Sequence, residues 1–485
     1  FSGSPTEIPC LPLRPQTMML KKLPQLALFA LLLSPTAKTE TPDYAAMLEE
    51  RLASVVAVEF SIEHEMDRTV NYAHGLVIDN DGTVILEGGA ISDRATPDQL
   101  VDFKIYRPGQ PSTQYARAEY IGQDGYTTWH FLRVAPEGRH TLRPITDFAA
   151  PESRALPQMA ETVWGIGLRQ KDEDFAPYFL RSQVSMIQQL PQLTGIALAG
   201  VAGRGCPIFN ERGEFVGIGA SGFGQRMMIY SQRRRGEMSV LLNPDEAAGF
   251  RLAPEVLSAV SRIPDNPFGR PLPWFGIDGI DPVAPEVAEF LGLGSATGLV
   301  ISEVMQGSPA ETSGLSPRDI IIAIDGRPLP RLKPDQVVAA HLMREILKRE
   351  PGDVISFTIL RDKLELELPV ELGDAPKTPK ESERRYFEDL GVTVRETVFS
   401  DVVARREDPS VLSGVIVHFV KPSSPVGTAG VQVDDWLKEI DGTPVTTYPQ
   451  ALELLEQAEA SGRPELVLLV SRGGETAVMR AKIDS

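Results

Sequence analysis

The segment SPAETSGLSPRDIIIAIDG, which begins at Ser308, recurs as SPVGTAGVQVDDWLKEIDG from Ser424. Both copies keep a Ser-Pro helix start, then Gly314 or Gly430, Asp319 or Asp435, and Asp325-Gly326 or Asp441-Gly442, at identical spacing. Self-similarity of this kind means two copies of one supersecondary module, so the C-terminal half must build two similar small cores.

Each copy follows one plan. An extended stretch with a Φ-Gly-Φ core (PWFGI from Pro273, EDLGV from Glu388) precedes a β-rich run, GLVISEV or GVIVHFV. A short helix, a strand ending in the Asp-Gly turn and a longer amphipathic helix follow (PDQVVAAHLMREILKRE, YPQALELLEQAEA), the last with apolar residues at three-and-four spacing. An alternating strand closes each copy, VISFTILR and ELVLLVSR. The arrangement resembles PDZ domains in the strand order of the bacterial HtrA/DegP-like proteases.

The half before the repeat reads as short strands punctuated by glycine, among them SVVAVEFSIE, AHGLVIDNDGTVILEGG and EFVGIGA, and ends on FRLAPEVLSAVSRI, an extended piece feeding a helix. Short strands at regular turn spacing imply a barrel or sandwich. This half resembles the trypsin-like domain of the same family. The expected fold is therefore mainly β with α+β modules: a chymotrypsin-like double β-barrel followed by two PDZ domains. The expected boundaries are the barrels at 41–263, a linker at 264–273, PDZ domain 1 at 274–372, a linker at 373–385 and PDZ domain 2 at 386–485. Both linkers are rich in proline and charge and lack apolar periodicity.

A chain of 485 residues exceeds what one core supports, since single cores stop growing near ~250 residues. The formal charge of -18 argues against nucleic acid or an anionic membrane as partner. Residues 1–17 read as an upstream artefact, because the chain opens on Phe1. Residues 18–40 read as a signal peptide: Lys21 and Lys22, an apolar run from Leu26 to Leu33, then small residues. That run falls short of the ~20 residues that span a bilayer, so no stable membrane insertion is expected. The expected location is periplasmic or secreted, in a bacterium. Without Cys10, Cys206 stands alone and no internal disulfide framework exists.

A serine protease needs a hydroxyl activated by an imidazole that a carboxylate orients. The family's GNSGGP loop matches AGRGCPIFN, which puts Arg204 at the nucleophile position, Ala202 at the preceding glycine and Cys206 at the second glycine. Its histidine segment matches VILEGGAI, giving Gly89, and its aspartate segment matches TWHFLRV, giving Thr128. The resemblance thus implies a degenerate triad, Gly89, Thr128 and Arg204, in a family of serine endopeptidases. Arg204 is expected as a surface arginine on a drifted loop; the alternative is a guanidinium filling the old cleft and pairing with Glu87 or a bound peptide. His130, two residues past the aspartate position, is the imidazole best aimed at that cleft, but both it and His74 are expected as satisfied polar residues, and Cys206 as a buried thiol. No metal-ligand spacing and no phosphate-cradling glycine loop stands out, so no cofactor is expected.

What remains is binding. PDZ domains take a C-terminal peptide as an added strand, and the N–H groups of the Φ-Gly-Φ loop hold its carboxylate. The resemblance places that loop at Trp274, Phe275, Gly276 and Ile277, with Val337, Val338 and His341 on the facing helix. In the second copy it gives Leu390, Gly391 and Val392, where Glu388 and Asp389 should repel a free carboxylate. The second copy is expected to dock internally or to another subunit, leaving the first as the better site. The function expected is a catalytically inactive, exported HtrA-like protein that binds peptide C-termini or unfolded polypeptide in protein quality control. Its rivals are an endopeptidase using Cys206 and His130, and a structural assembly protein, since the family forms trimers.

Overall fold

The computed structural model describes residues 42–485 except 93, 146–155, 191, 199, 202, 221–226, 231–237, 242–247, 294–296, 334, 406, 408–411 and 484–485. The stretches expected as upstream artefact and signal peptide, and Ala202, lie outside the described residues. Helix α1 (Tyr44–Leu52), capped by the Asp43 carboxylate, leads into β1 (Val55–Glu63), β2 (Arg68–Val77), β3 (Thr83–Leu86), β4 (Leu100–Tyr106), β5 (Ala116–Gln123) and β6 (His130–Val134). These strands close into a barrel in the order β1-β2-β3-β6-β5-β4. The Asp-Gly hairpin turn between β2 and β3 is present: Gly82 has φ +72, and the Asp79 carboxylate accepts from Thr83 N–H at 2.8 Å.

Past the short α2 (Pro136–Arg139) come β7 (Thr162–Leu168), β8 (Pro177–Gln188), β9 (Thr194–Ala197), β10 (Pro207–Asn210) and β11 (Phe215–Gly219). A separate pair, β12 (Met227–Tyr230) with β13 (Met238–Leu241), precedes β14 (Ala248–Leu252). Apart from that pair they form a second closed barrel, β10-β11-β14-β9-β8-β7. Continuous apolar burial joins the two barrels. Tyr106 and Phe131 of the first and Trp164 and Phe209 of the second share one cluster with Val256 and Ala259 of α3 (Ala253–Val260). Trp164 is fully buried, and its indole N–H donates to the Asn210 carbonyl at 2.7 Å, so no polar atom is stranded.

The first repeat contains β15 (Pro273–Trp274), β16 (Ile277–Pro282), α4 (Pro285–Phe290), β17 (Leu299–Val304), α5 (Pro309–Thr312), β18 (Ile320–Ile324), β19 (Arg327–Pro328), α6 (Val337–Leu347), β20 (Val354–Arg361), β21 (Leu364–Glu371) and β22 (Gly373–Asp374). The second contains β23 (Arg384–Phe387), β24 (Val392–Glu396), α7 (Phe399–Ala404), β25 (Val415–Val420), α8 (Pro425–Thr428), β26 (Trp436–Ile440), β27 (Thr443–Pro444), α9 (Tyr448–Ala460), β28 (Glu465–Arg472) and β29 (Glu475–Lys482). The sheets run β16-β17-β18-β20-β21 and β23-β24-β25-β26-β28-β29.

The repeated residues do the same work in both modules. Ser308 and Ser424 cap the short helices, accepting from Glu311 and Gly427 N–H at 3.2 and 3.1 Å. Asp319 holds Arg361 through two bonds of 2.7 and 2.6 Å, and Asp435 holds Arg472 through two of 2.6 Å. Each arginine also donates to the carbonyl of the conserved-spacing glycine, Gly314 or Gly430, whose φ of +86 or +91 only glycine takes without strain. The first module is tied to the barrels by Arg344 of α6, which ion-pairs with Glu255 of α3 and lies 4.6 Å over the Tyr126 ring.

The Asp319 side chain is 2% exposed, so removing it leaves a fixed guanidinium and the Ser316 N–H without their acceptor. Asp319→Ala is expected to destabilise its module by about 3 kcal/mol, and Asp435→Ala by a similar amount. Urea unfolding followed by tryptophan fluorescence measures both; a loss under ~1 kcal/mol for either would show that the motif is not structural.

Candidate functional site

The three positions matched to the family's triad converge at the junction of the barrels. Gly88 and Gly89 form a single turn after β3, and Glu87 caps it, its carboxylate accepting from Gly89 N–H at 3.0 Å. Arg204, from the loop before β10, lays its side chain across this turn. Its Nη1 donates to the Gly89 carbonyl at 2.6 Å, and its Nε pairs with Glu87 Oε2 at 3.1 Å. A Cβ built on Gly89 would lie 2.5 Å from Arg204 Nη2. A side chain at 89 would therefore have to displace the guanidinium from its present position. Thr128 stands in the same relation to Gly88, where a Cβ would lie 2.5 Å from Thr128 Oγ1. Arg204 is exposed, as expected of a surface arginine on a drifted loop, and it also makes the pairing with Glu87 given as the alternative.

The neighbouring imidazoles are engaged. His130 is buried, with Nδ1 2.9 Å from the Tyr120 hydroxyl and Nε2 3.2 Å from the Gly88 carbonyl. His74 donates from Nδ1 to the Arg204 carbonyl at 2.7 Å, and burial holds its pKa below the ordinary histidine value. The Cys206 thiol is fully buried, and burial pushes its pKa up to about 12. A thiol with that pKa holds negligible thiolate at neutral pH. The rival pairing of Cys206 with His130 therefore finds neither an accessible nucleophile nor an uncommitted base. Tyr120, which holds His130, carried no signal in the sequence. Among the described residues no group of three or more His, Cys, Asp or Glu could hold a metal ion, and no helix is long and apolar enough to cross a membrane.

In the first module, Gly276 has φ +84 and Ile277 opens β16, which pairs with β17 on one side only. Helix α6 packs beside β15 and β16. This open edge and helix form the wall pair that a strand-binding groove requires. Two residues expected at the groove are placed elsewhere. Val338 is 1% exposed and aligns with Leu342 and Ile346 on the core-facing row of α6. Val337 and His341 lie half-buried on the adjacent row. The ring of Trp274 packs edge-on against Phe399 of α7, at 5.7 Å and 81°, and Phe275 stacks on Phe357 in the core. In the second module Leu390 and Val392 are buried, Gly391 has φ +69, and the edge of β24 carries β23.

Residues 276–357 match the PDZ domain family. The chain is 27% identical over 289 residues to a probable periplasmic serine endoprotease DegP-like of Hahella chejuensis (strain KCTC 2396), covering 58% of this chain and 55% of that protein. It is a relative of the HtrA/DegP-like serine proteases. The serine endoprotease DegS of Escherichia coli (strain K12) is 24% identical over 324 residues, 63% of this chain and 77% of DegS. This HtrA relative spans about half the length of the DegP-like proteins it matches. Among solved structures, the HtrA-type protease AlgW with decapeptide aligns at 16% identity and TM-score 0.48, over 69% of this chain and 99% of that one.

Two expectations follow for this HtrA-like chain. Gly89→Ala should destabilise it by about 1 kcal/mol by displacing the guanidinium, whereas in an Arg204→Ala background the same change should cost nothing; a double-mutant cycle in urea reads that coupling. The His74 pKa is lower folded than unfolded, so its contribution is present above the ordinary value of ~6.5 and is lost as pH falls through the folded one. Between pH 7 and pH 5 the thermal midpoint of His74→Gln is expected to fall less than that of the parent; equal falls would contradict this.

Proposed function

We propose that this chain is an exported, catalytically silent HtrA-like protein that binds polypeptide C-termini or unfolded segments through its first PDZ module, as an adaptor or scaffold in protein quality control. The reading rests on one observation above others: the Arg204 guanidinium lies where a side chain at position 89 would project. A triad needs an imidazole there and a hydroxyl at 204. Position 89 has no side chain and position 204 has no hydroxyl, and a histidine placed at 89 would first have to displace the guanidinium. Loss of a whole triad costs about 10⁶-fold in turnover.

The open edge of β16 supports the binding half of the proposal. A peptide added there gains main-chain hydrogen bonds from β16, and its terminal carboxylate meets the turn at Gly276. His341 and Val337, on the row beside the core row of α6, are the side chains proposed to read the peptide. Export to the periplasm is supported by the leader-like segment and by relatives named as periplasmic. Self-assembly, by analogy with the family, belongs to the same proposal.

Purified protein is expected to leave casein uncleaved and to resist stoichiometric labelling by fluorophosphonate and by iodoacetamide. Binding of a fluorescent C-terminal peptide library should weaken about tenfold or more in Gly276→Val, since valine at φ +84 is strained and meets Ser308. Labelling at a single residue would overturn the silent reading, and unchanged binding in Gly276→Val would overturn the assignment of the groove.

A further inference from the structure

The two modules share one frame but differ at the edge where a ligand would lie. Strand β16 has an open edge, whereas its counterpart β24 is covered by β23. The pairing is antiparallel, with Arg384 opposite Arg395, Arg385 opposite Val394, Tyr386 opposite Thr393 and Phe387 opposite Val392. A C-terminal peptide bound by strand addition would take the same polarity and end at the same place, beside the Φ-Gly-Φ turn. We propose that the second module is a peptide-binding site for extended basic-aromatic segments, and that Arg384–Phe387 of the chain itself occupies that site.

Three further observations carry this. Gly391 N–H, a donor of the turn, gives its hydrogen bond to the Phe387 carbonyl at 2.8 Å, so the last residue of β23 takes the donor that a terminal carboxylate would use. Phe387 is 1% exposed and packs with Leu390, Val392 and Leu455, filling the terminal side-chain pocket between sheet and helix. Arg385 ion-pairs with Glu456 of α9, the second wall of the groove, and α9 packs on β23.

The remaining turn donors also face a carboxyl. Glu459 of α9 lies against the N–H groups of Leu390 and Asp389, and one of its oxygens is buried without a hydrogen-bond partner. Burial raises its pKa, against the lowering effect of those turn N–H groups, which mark the position by their geometry. The strand is secured outside the groove as well, since Arg384 pairs with Asp98 of the first barrel at 2.7 Å. A segment that displaces β23 therefore also loosens the second module from that barrel.

The chemistry of the occupant defines the ligand class: an extended strand with a basic residue facing Glu456 and an aromatic residue at its end. This rests on reading both modules as strand acceptors, and the test separates the two claims. Fluorescein-labelled Ser-Glu-Arg-Arg-Tyr-Phe with a free carboxylate is titrated into the full chain carrying Gly276→Val, which silences the first module. Arg385→Glu sets a carboxylate against Glu456 at a half-exposed position that folding tolerates, and should raise affinity for the peptide about fivefold. Phe387→Ala should raise it tenfold or more. A Tyr386→Cys/Thr393→Cys pair, placed on directly opposed residues, should abolish binding when oxidised and restore it on reduction. Equal affinity in parent and Arg385→Glu, or binding indifferent to the lock, would overturn the inference. Gly276-independent binding of C-termini by the parent would count against the proposed function alone.

Discussion

A guanidinium laid over a glycine governs the junction between the barrels. Arg204 reaches the Gly89 carbonyl and the Glu87 carboxylate across the space that a Cβ at position 89 would occupy. Gly88 makes the same allowance for Thr128. The consecutive glycines and the two residues that lie over them, Arg204 and Thr128, form one set, each filling volume that the other leaves. Such a set is self-consistent: a side chain added at either glycine meets the residue lying over it.

The repeat shows how one frame supports two different edges. Asp319 with Arg361, and Asp435 with Arg472, brace the same turn in each module, and the capping serines and positive-φ glycines recur with them. The difference lies just before the Φ-Gly-Φ turn. In the first module the approaching segment is Arg-Pro-Leu-Pro-Trp, whose two prolines have no N–H to offer a ladder. In the second it is Arg-Arg-Tyr-Phe, whose aromatic pair suits a pleated edge, and Glu388 and Asp389 give the chain room to double back into a hairpin. The open groove and the covered one thus trace to a few residues upstream of a shared motif.

Much of this was readable along the chain. The Asp81-Gly82 turn, the strand-rich half ending on a helix, the module plan and the burial of Cys206 all follow from local spacing and turn chemistry. Other assignments were not. Val338 was expected at the groove, but helical periodicity alone cannot say which of two adjacent rows faces a sheet when both are apolar. Trp274 was expected to line the groove, yet its partner Phe399 lies in the other module. Arg204 is exposed, as expected, but its partner was not legible, because its contact to Gly89 spans 115 residues of sequence.

By itself the sequence determined the kind of architecture and the identity of the residues at the positions matched to a triad, because repeats, turn dipeptides and the absence of a particular side chain are local facts. Tertiary structure alone decided what became of those positions: that an arginine closes over a glycine, that two histidines are already spoken for, and that one groove is open while the other is filled by its own chain. Those outcomes depend on the distances between segments far apart in sequence, and packing, charge pairing and hydrogen-bond satisfaction act only through such distances.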